Sequence, residues 1–169
     1  YNLEAGQAVL TDNNDIRIYT DGKEKFHALI EEMKRAKKYI HVQYYIIRND
    51  EVWQDIEKVL IEKAHEGVEV RVLFDSMGCR TMHKRDWDRL KCEGIRVAEF
   101  FPAILGQLQM RVNYRNHRKI VVIDGKVGFV GGFNVGREYI GKDEKFGYWR
   151  DTHIRVEGTS VYMLQMIFL

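Results

Sequence analysis

Only two cysteines, Cys79 and Cys92, occur in the 169 residues. They are too few for a disulfide framework and lack metal-ligand spacing, which fits a reducing compartment better than secretion. Long apolar runs are missing too: no stretch of about 18 such residues occurs and no basic-then-apolar leader opens the chain. This segment is therefore expected neither to span a membrane nor to carry a signal peptide, and any membrane anchor is expected outside it. Nor is there a charge bias, since 27 Lys plus Arg face 25 Asp plus Glu for a net charge of +2. A dedicated nucleic-acid binder carries a strong basic excess, so no nucleic-acid partner is expected. Repeats, low-complexity tracts and linkers are absent, and with 45% hydrophobic residues the length suits one core rather than two. Residues 1–169 read as one domain. The chain opens on Tyr1 rather than Met, and the run from Val161 to Leu169 has no Gly, Pro or basic last turn to stop a helix. On both counts it reads as a piece of a longer protein.

What is present alternates between two periods. A helix is expected over 21–37, capped by Asp21 with Glu24 three residues on, and Phe26, Leu29, Ile30 and Met33 recur at helical spacing. Tyr39 to Ile47 is a β-rich run. Asn49 or Asp50 then caps a second helix with Trp53, Ile56, Leu60 and Ala64 on one face, ending at Gly67. Val68 to Phe74 is the next strand, followed by a loop at Asp75-Ser76-Met77-Gly78, a helix around 82–92 closed by Gly94, and a strand from Ile95 to Phe100. This order predicts an α/β fold with a mixed, largely parallel sheet flanked by helices on both faces. Residues 101–116, which hold the only proline, Pro102, read as loop. Arg118 to Ile123 and Lys126 to Val130 are strands joined by Asp124-Gly125, a strong hairpin signal, and Asp151 to Val156 is the last strand. Asp12-Asn13-Asn14-Asp15 reads as a turn, lacking the Gly and Glu of a calcium loop.

The chemistry is concentrated in His117-Arg118-Lys119-Ile120-Val121-Val122-Ile123-Asp124. On a strand, residues two apart share a face, so His117 and Lys119 are expected to converge on one ligand. A neutral imidazole can attack phosphorus, and an ammonium beside it can stabilise charge on the non-bridging oxygens. Gly131-Gly132-Phe133-Asn134 follows at the sheet's end, where paired glycines let a backbone approach a ligand and Asn134 offers an amide donor. His41 reads as a satisfied strand histidine, and His27, His65 and His83 have solvated neighbours. No histidine, His153 included, has a metal-ligand partner at suitable spacing, so no metal is expected.

His117-x-Lys119 with Asp124 five residues later, followed by Gly131-Gly132-x-Asn134, resembles the signature of the phospholipase D superfamily. Asn113-Tyr114-Arg115-Asn116, Gly147-Tyr148-Trp149-Arg150-Asp151-Thr152-His153, Tyr19-Thr20-Asp21-Gly22 and Asp75-Ser76-Met77-Gly78 are similar to bacterial cardiolipin synthases in particular. The resemblance implies a cofactor-free, metal-independent two-step transfer. In it His117 is the nucleophile, Lys119 the phosphate clamp, Asp124 a structural and electrostatic support and Asn134 a second phosphate donor. Asp151, 34 residues after His117, would fix the tautomer of the nucleophile. A surface salt bridge with Arg150 or Arg155 is the competing reading.

Only one such motif is present, whereas the two-motif enzymes build a site between two halves. The partner is therefore expected to be a second, similar half or a homodimer mate, and the isolated half is expected to be inactive. By resemblance, the substrate is phosphatidylglycerol at a membrane surface. The setting would be a cytoplasmic-side domain of a cell-membrane protein, and the reaction phosphatidyl transfer to a second phosphatidylglycerol with release of glycerol. A phospholipase or single-motif nuclease using water as acceptor, and a non-catalytic scaffold half, are the rival readings.

Overall fold

The computed structural model describes residues 10–100 and 115–169. In chain order its elements are β1 (Asn14–Tyr19), α1 (Gly22–Arg35), β2 (Tyr39–Tyr44), α2 (Glu51–His65), β3 (Glu69–Asp75), α3 (Lys84–Cys92), β4 (Arg96–Phe100), β5 (Ile120–Ile123), β6 (Val127–Gly131), a 3-10 turn (Arg137–Ile140), β7 (His153–Gly158) and α4 (Ser160–Phe168). The loop expected over 101–116 lies outside the described residues except for its last two.

Local chemistry sets most of the boundaries. The Asp21 carboxylate accepts the N–H groups of Lys23 and Glu24 and starts α1. Asp50, rather than Asn49, starts α2 by accepting from Val52. Gly67 and Gly94, both at positive φ, close α2 and α3 where a side chain would be strained.

One seven-stranded sheet runs in the order β1-β7-β6-β5-β2-β3-β4. The mixed α/β sheet is as expected, but parallel pairing is confined to β2, β3 and β4. The four other pairings are antiparallel, so the sheet is less parallel than the order of elements implied. The reason is that the β5–β6 hairpin, whose short turn imposes reversal, enters beside β2, and β7 and β1 extend its free edge in antiparallel register. β1 itself is a correction. Asn14 and Asp15, read as turn, are its first residues, paired with Gly158 and Glu157. Asn and Asp are poor strand formers, and only a partner about 140 residues away draws them into the ladder.

Helices cover both faces. On one, Phe26, Leu29 and Met33 of α1, Trp53, Ile56 and Leu60 of α2 and Trp87 and Leu90 of α3 pack on Ile40, Val42, Val72, Val121, Ile123 and Phe129. Trp87 stacks on Phe74 with ring centroids 3.9 Å apart. On the other, Val161 and Leu164 of α4 cover Ile120, Val122 and Val156. His41 is held there between the rings of Tyr39 and Phe168, with Gln165 and Glu69 on its two nitrogens.

Candidate active site

His117 and Lys119 do not lie within a strand as expected. They belong to the irregular segment 115–119, which enters β5 at Ile120. Their spacing still brings them together: Lys119 Nζ lies 2.9 Å from Nδ1 and 3.1 Å from Nε2 of His117, and donates to the His117 carbonyl at 2.8 Å. His117 is exposed and lines a cavity of about 410 Å³ with Phe100, Arg115, Asn116 and Arg118. Lys119 is buried. An imidazole open to solvent beside a sheltered cation suits attack on an anionic phosphodiester.

The electrostatics are set by burial first. Partial desolvation, and then the Lys119 charge, lower the His117 pKa, while Asp75 pulls it upward. The imidazole is therefore neutral, and able to attack, below the ordinary histidine range. Burial pushes the Lys119 ammonium down to about 8, against the opposing pull of Asp151.

The remaining expected residues divide. Asp151 is brought close, with its carboxylate against Gly132, where a methyl group would overlap it. Its charge acts on Lys119, and among the described residues its carboxylate accepts from its neighbour Thr152, with no hydrogen bond to His117. The Asn134 side-chain oxygen accepts the N–H of Ile46 and its nitrogen donates to Tyr139 Oη, so this amide ties the chain after β2 to the 3-10 turn. Asp124 is not brought to the site. It lies beyond the far end of β5, and at about 3.3 Å per residue that is roughly 20 Å from His117. There, at φ 55, its carboxylate accepts the N–H groups of Lys37, Lys38 and Tyr39 at 2.8, 2.7 and 2.9 Å.

Three residues near the site were given no role in the reading of the sequence. The Tyr45 ring lies 4.7 Å from that of His117. Asp75 is buried at the end of β3 and accepts the N–H of Asn116. His153 is fully buried, and neither ring nitrogen has a partner among the described residues. Desolvation and the charges of Lys25 and Lys119 hold its pKa down to about 2. A strand end followed by a turn-forming triplet pointed to Asp75, and both Asp75 and His153 lie in segments that carry the family resemblance, whereas Tyr45 carried no signal.

Residues 29–148 match the family described as cardiolipin synthase, PLD-like domain. The chain belongs to this family. Over 162 residues this PLD-like domain is 51% identical to the major cardiolipin synthase ClsA of Bacillus subtilis, covering 96% of the chain and 34% of that protein. Against a cardiolipin synthase of Staphylococcus aureus it is 53% identical over 162 residues, covering 96% of the chain and 33% of that protein. The domain thus spans about a third of the length of these curated relatives. The fold is also that of NucT from Helicobacter pylori, with a TM-score of 0.68 at 15% identity over 92% of this chain and 94% of that one. At that identity the likeness concerns architecture alone.

Proposed function

We propose that this PLD-like domain is one catalytic half of a cardiolipin synthase. The observation that carries the reading is the His117–Lys119 pair at 2.9 Å, open to a cavity on the His117 side and sheltered on the Lys119 side. The identity to two cardiolipin synthases supports the choice of reaction.

In the proposed reaction a neutral ring nitrogen of His117 attacks the phosphorus of one phosphatidylglycerol. The nitrogen–phosphorus bond forms as the bond from phosphorus to the glycerol oxygen breaks. The leaving alkoxide takes a proton from a histidine of a second, similar half, and glycerol departs. That histidine then removes a proton from the free hydroxyl of a second phosphatidylglycerol, whose oxygen displaces His117 from phosphorus and completes cardiolipin. Lys119 holds the non-bridging oxygens throughout. Asp151 sustains the charge of Lys119, Asn134 keeps the adjoining loop in register, and Asp124 secures the β5–β6 turn. Residues 1–169 form a single PLD-like domain with one motif, inactive alone. The whole enzyme works at the cytoplasmic side of the cell membrane, with its anchor outside this segment; among the described residues no helix is long and apolar enough to cross a membrane.

The full-length protein in membranes, given phosphatidylglycerol, is expected to make cardiolipin and glycerol in equal amounts. His117→Ala is expected to reduce both by about 100-fold or more while leaving the protein folded. Phosphatidic acid or cleaved nucleic acid in place of cardiolipin would replace the acceptor alcohol by water, and full activity in His117→Ala would remove the mechanism.

A further inference from the structure

Asp75 ends β3 with its carboxylate buried and employed on two segments. Oδ1 accepts the N–H groups of Met77 and Gly78 at 2.9 and 3.2 Å and so turns the chain towards α3. Oδ2 accepts the N–H of Asn116 at 3.3 Å, and the Arg115 guanidinium lies 4.0 Å from Oδ1. Asn116 immediately precedes His117.

The turn held by Asp75 reaches the site from the other side as well. It presses Gly78 against the carbonyl of Tyr45, so closely that a methyl group on Gly78 would overlap that oxygen. Cys79 Sγ donates to the same carbonyl at 3.5 Å and accepts the N–H of Ile47 at 3.2 Å. The Tyr45 ring then stands against His117. One carboxylate thereby anchors the main chain that presents the nucleophile and the turn that backs its aromatic neighbour. Turn-capping alone does not require a charge, because Asn and Ser accept the same N–H groups. A buried ionised group is costly unless its charge is used. Here the charge has the Arg115 guanidinium 4.0 Å away and also acts on the His117 ring, which becomes cationic during the proposed reaction.

We propose that Asp75 is a positioning residue for the transfer step: it fixes the His117 segment through Asn116 and offsets the positive charge the imidazole gains when its nitrogen bonds to phosphorus. This rests on the reading of His117 as nucleophile. The ring nitrogen supplies the electron pair of the new bond, and the departing oxygen takes the pair of the old one. The other charges at this ring are Lys119, which opposes protonation of His117, and Arg115 and Arg118 on the cavity wall.

The test uses full-length enzyme carrying Asp75→Asn, Asp75→Glu or His117→Ala, assayed for cardiolipin across pH. Asp75→Asn is expected to lower kcat by about 10- to 100-fold with little change in KM. Because Asp75 raises the proton affinity of His117, its neutralisation is also expected to move the acid limb of kcat/KM to lower pH. Asp75→Glu keeps the charge and is expected to leave the limb in place while losing part of the rate. Asp75→Asn with wild-type rate, or with a reduced rate and an unmoved limb, would overturn the proposal while leaving His117 as nucleophile. Should Asp75→Asn fail to fold, Asp75→Glu decides, and a wild-type rate in that variant overturns the positioning role. Turnover retained in His117→Ala would instead remove the nucleophile and this inference with it.

Discussion

Lys119 Nζ lies 2.9 Å from Nδ1 of His117, within hydrogen-bonding distance of the atom set that the proposed reaction uses. The Lys119 charge adds to burial in lowering the tendency of His117 to hold a proton, because two cations this close repel, while burial lowers that of Lys119. With His117 held below its ordinary value and Lys119 at about 8, the window in which the imidazole is neutral and the ammonium charged opens below pH 6.5 and closes near 8. A pH–rate profile of the full-length enzyme is expected to show those two limbs. Lys119→Arg is expected to remove the contribution of Lys119 to the alkaline limb, since a guanidinium does not deprotonate in that range, and to leave only that of the second-half histidine that protonates the leaving group. Lys119→Ala is expected to lower kcat by about 100- to 1000-fold.

Gly132 gives a finer probe of the same window. A methyl group there overlaps the Asp151 carboxylate, which has to leave the position from which it acts on Lys119. Asp151 raises the pKa of Lys119, so Gly132→Ala is expected to shift the alkaline limb below about 8. An unmoved limb in a folded variant would show that Asp151 does not act on Lys119.

Asp124 works on stability at the far end of β5. Burial would raise its pKa, but the three backbone N–H groups of Tyr39, Lys38 and Lys37, with help from Lys126, outweigh that and hold it below the ordinary carboxylate value. A depressed folded-state pKa gives stability that is present above about pH 3.9 and is lost as pH falls through the lower folded value. Asp124→Ala leaves those N–H groups without their acceptor and is expected to cost about 1–3 kcal/mol at pH 7. Thermal melts across pH check this, and the deficit should shrink as the medium becomes strongly acidic.

His153 produces acid sensitivity of a different origin. It is fully buried and neutral when folded, with its pKa down to about 2, whereas an unfolded chain takes up the proton near 6.5. Between those values the unfolded state binds more protons, so the wild type loses stability as pH falls below about 6.5. His153→Phe removes this term. Whatever its offset at pH 7, the variant is expected to gain about 2 kcal/mol on the wild type by pH 5, read as a difference in denaturant midpoints.

The sequence by itself determined what a few neighbouring residues control. The Asp21 cap, a cap at Asn49 or Asp50, the Gly67 and Gly94 stops and the Asp124-Gly125 hairpin each depend on dihedral preference or on one side chain reaching two or three residues along the chain. The approach of Lys119 to His117 was legible for the same reason, because two-residue spacing in extended chain puts both on one side, even though the segment stands outside the strand. Tertiary structure alone decided the remainder. β1 exists through its pairing with β7. The partners of Asp124 lie 85 to 87 residues away, and Asp75 meets Asn116 across 41 residues. Contacts of that separation depend on which strands become neighbours, and strand order is set by burying the faces of the sheet against the helices on either side. No local pattern encodes that balance. The sequence could therefore give the pair proposed to react, while the folded sheet decides which carboxylates stand near it.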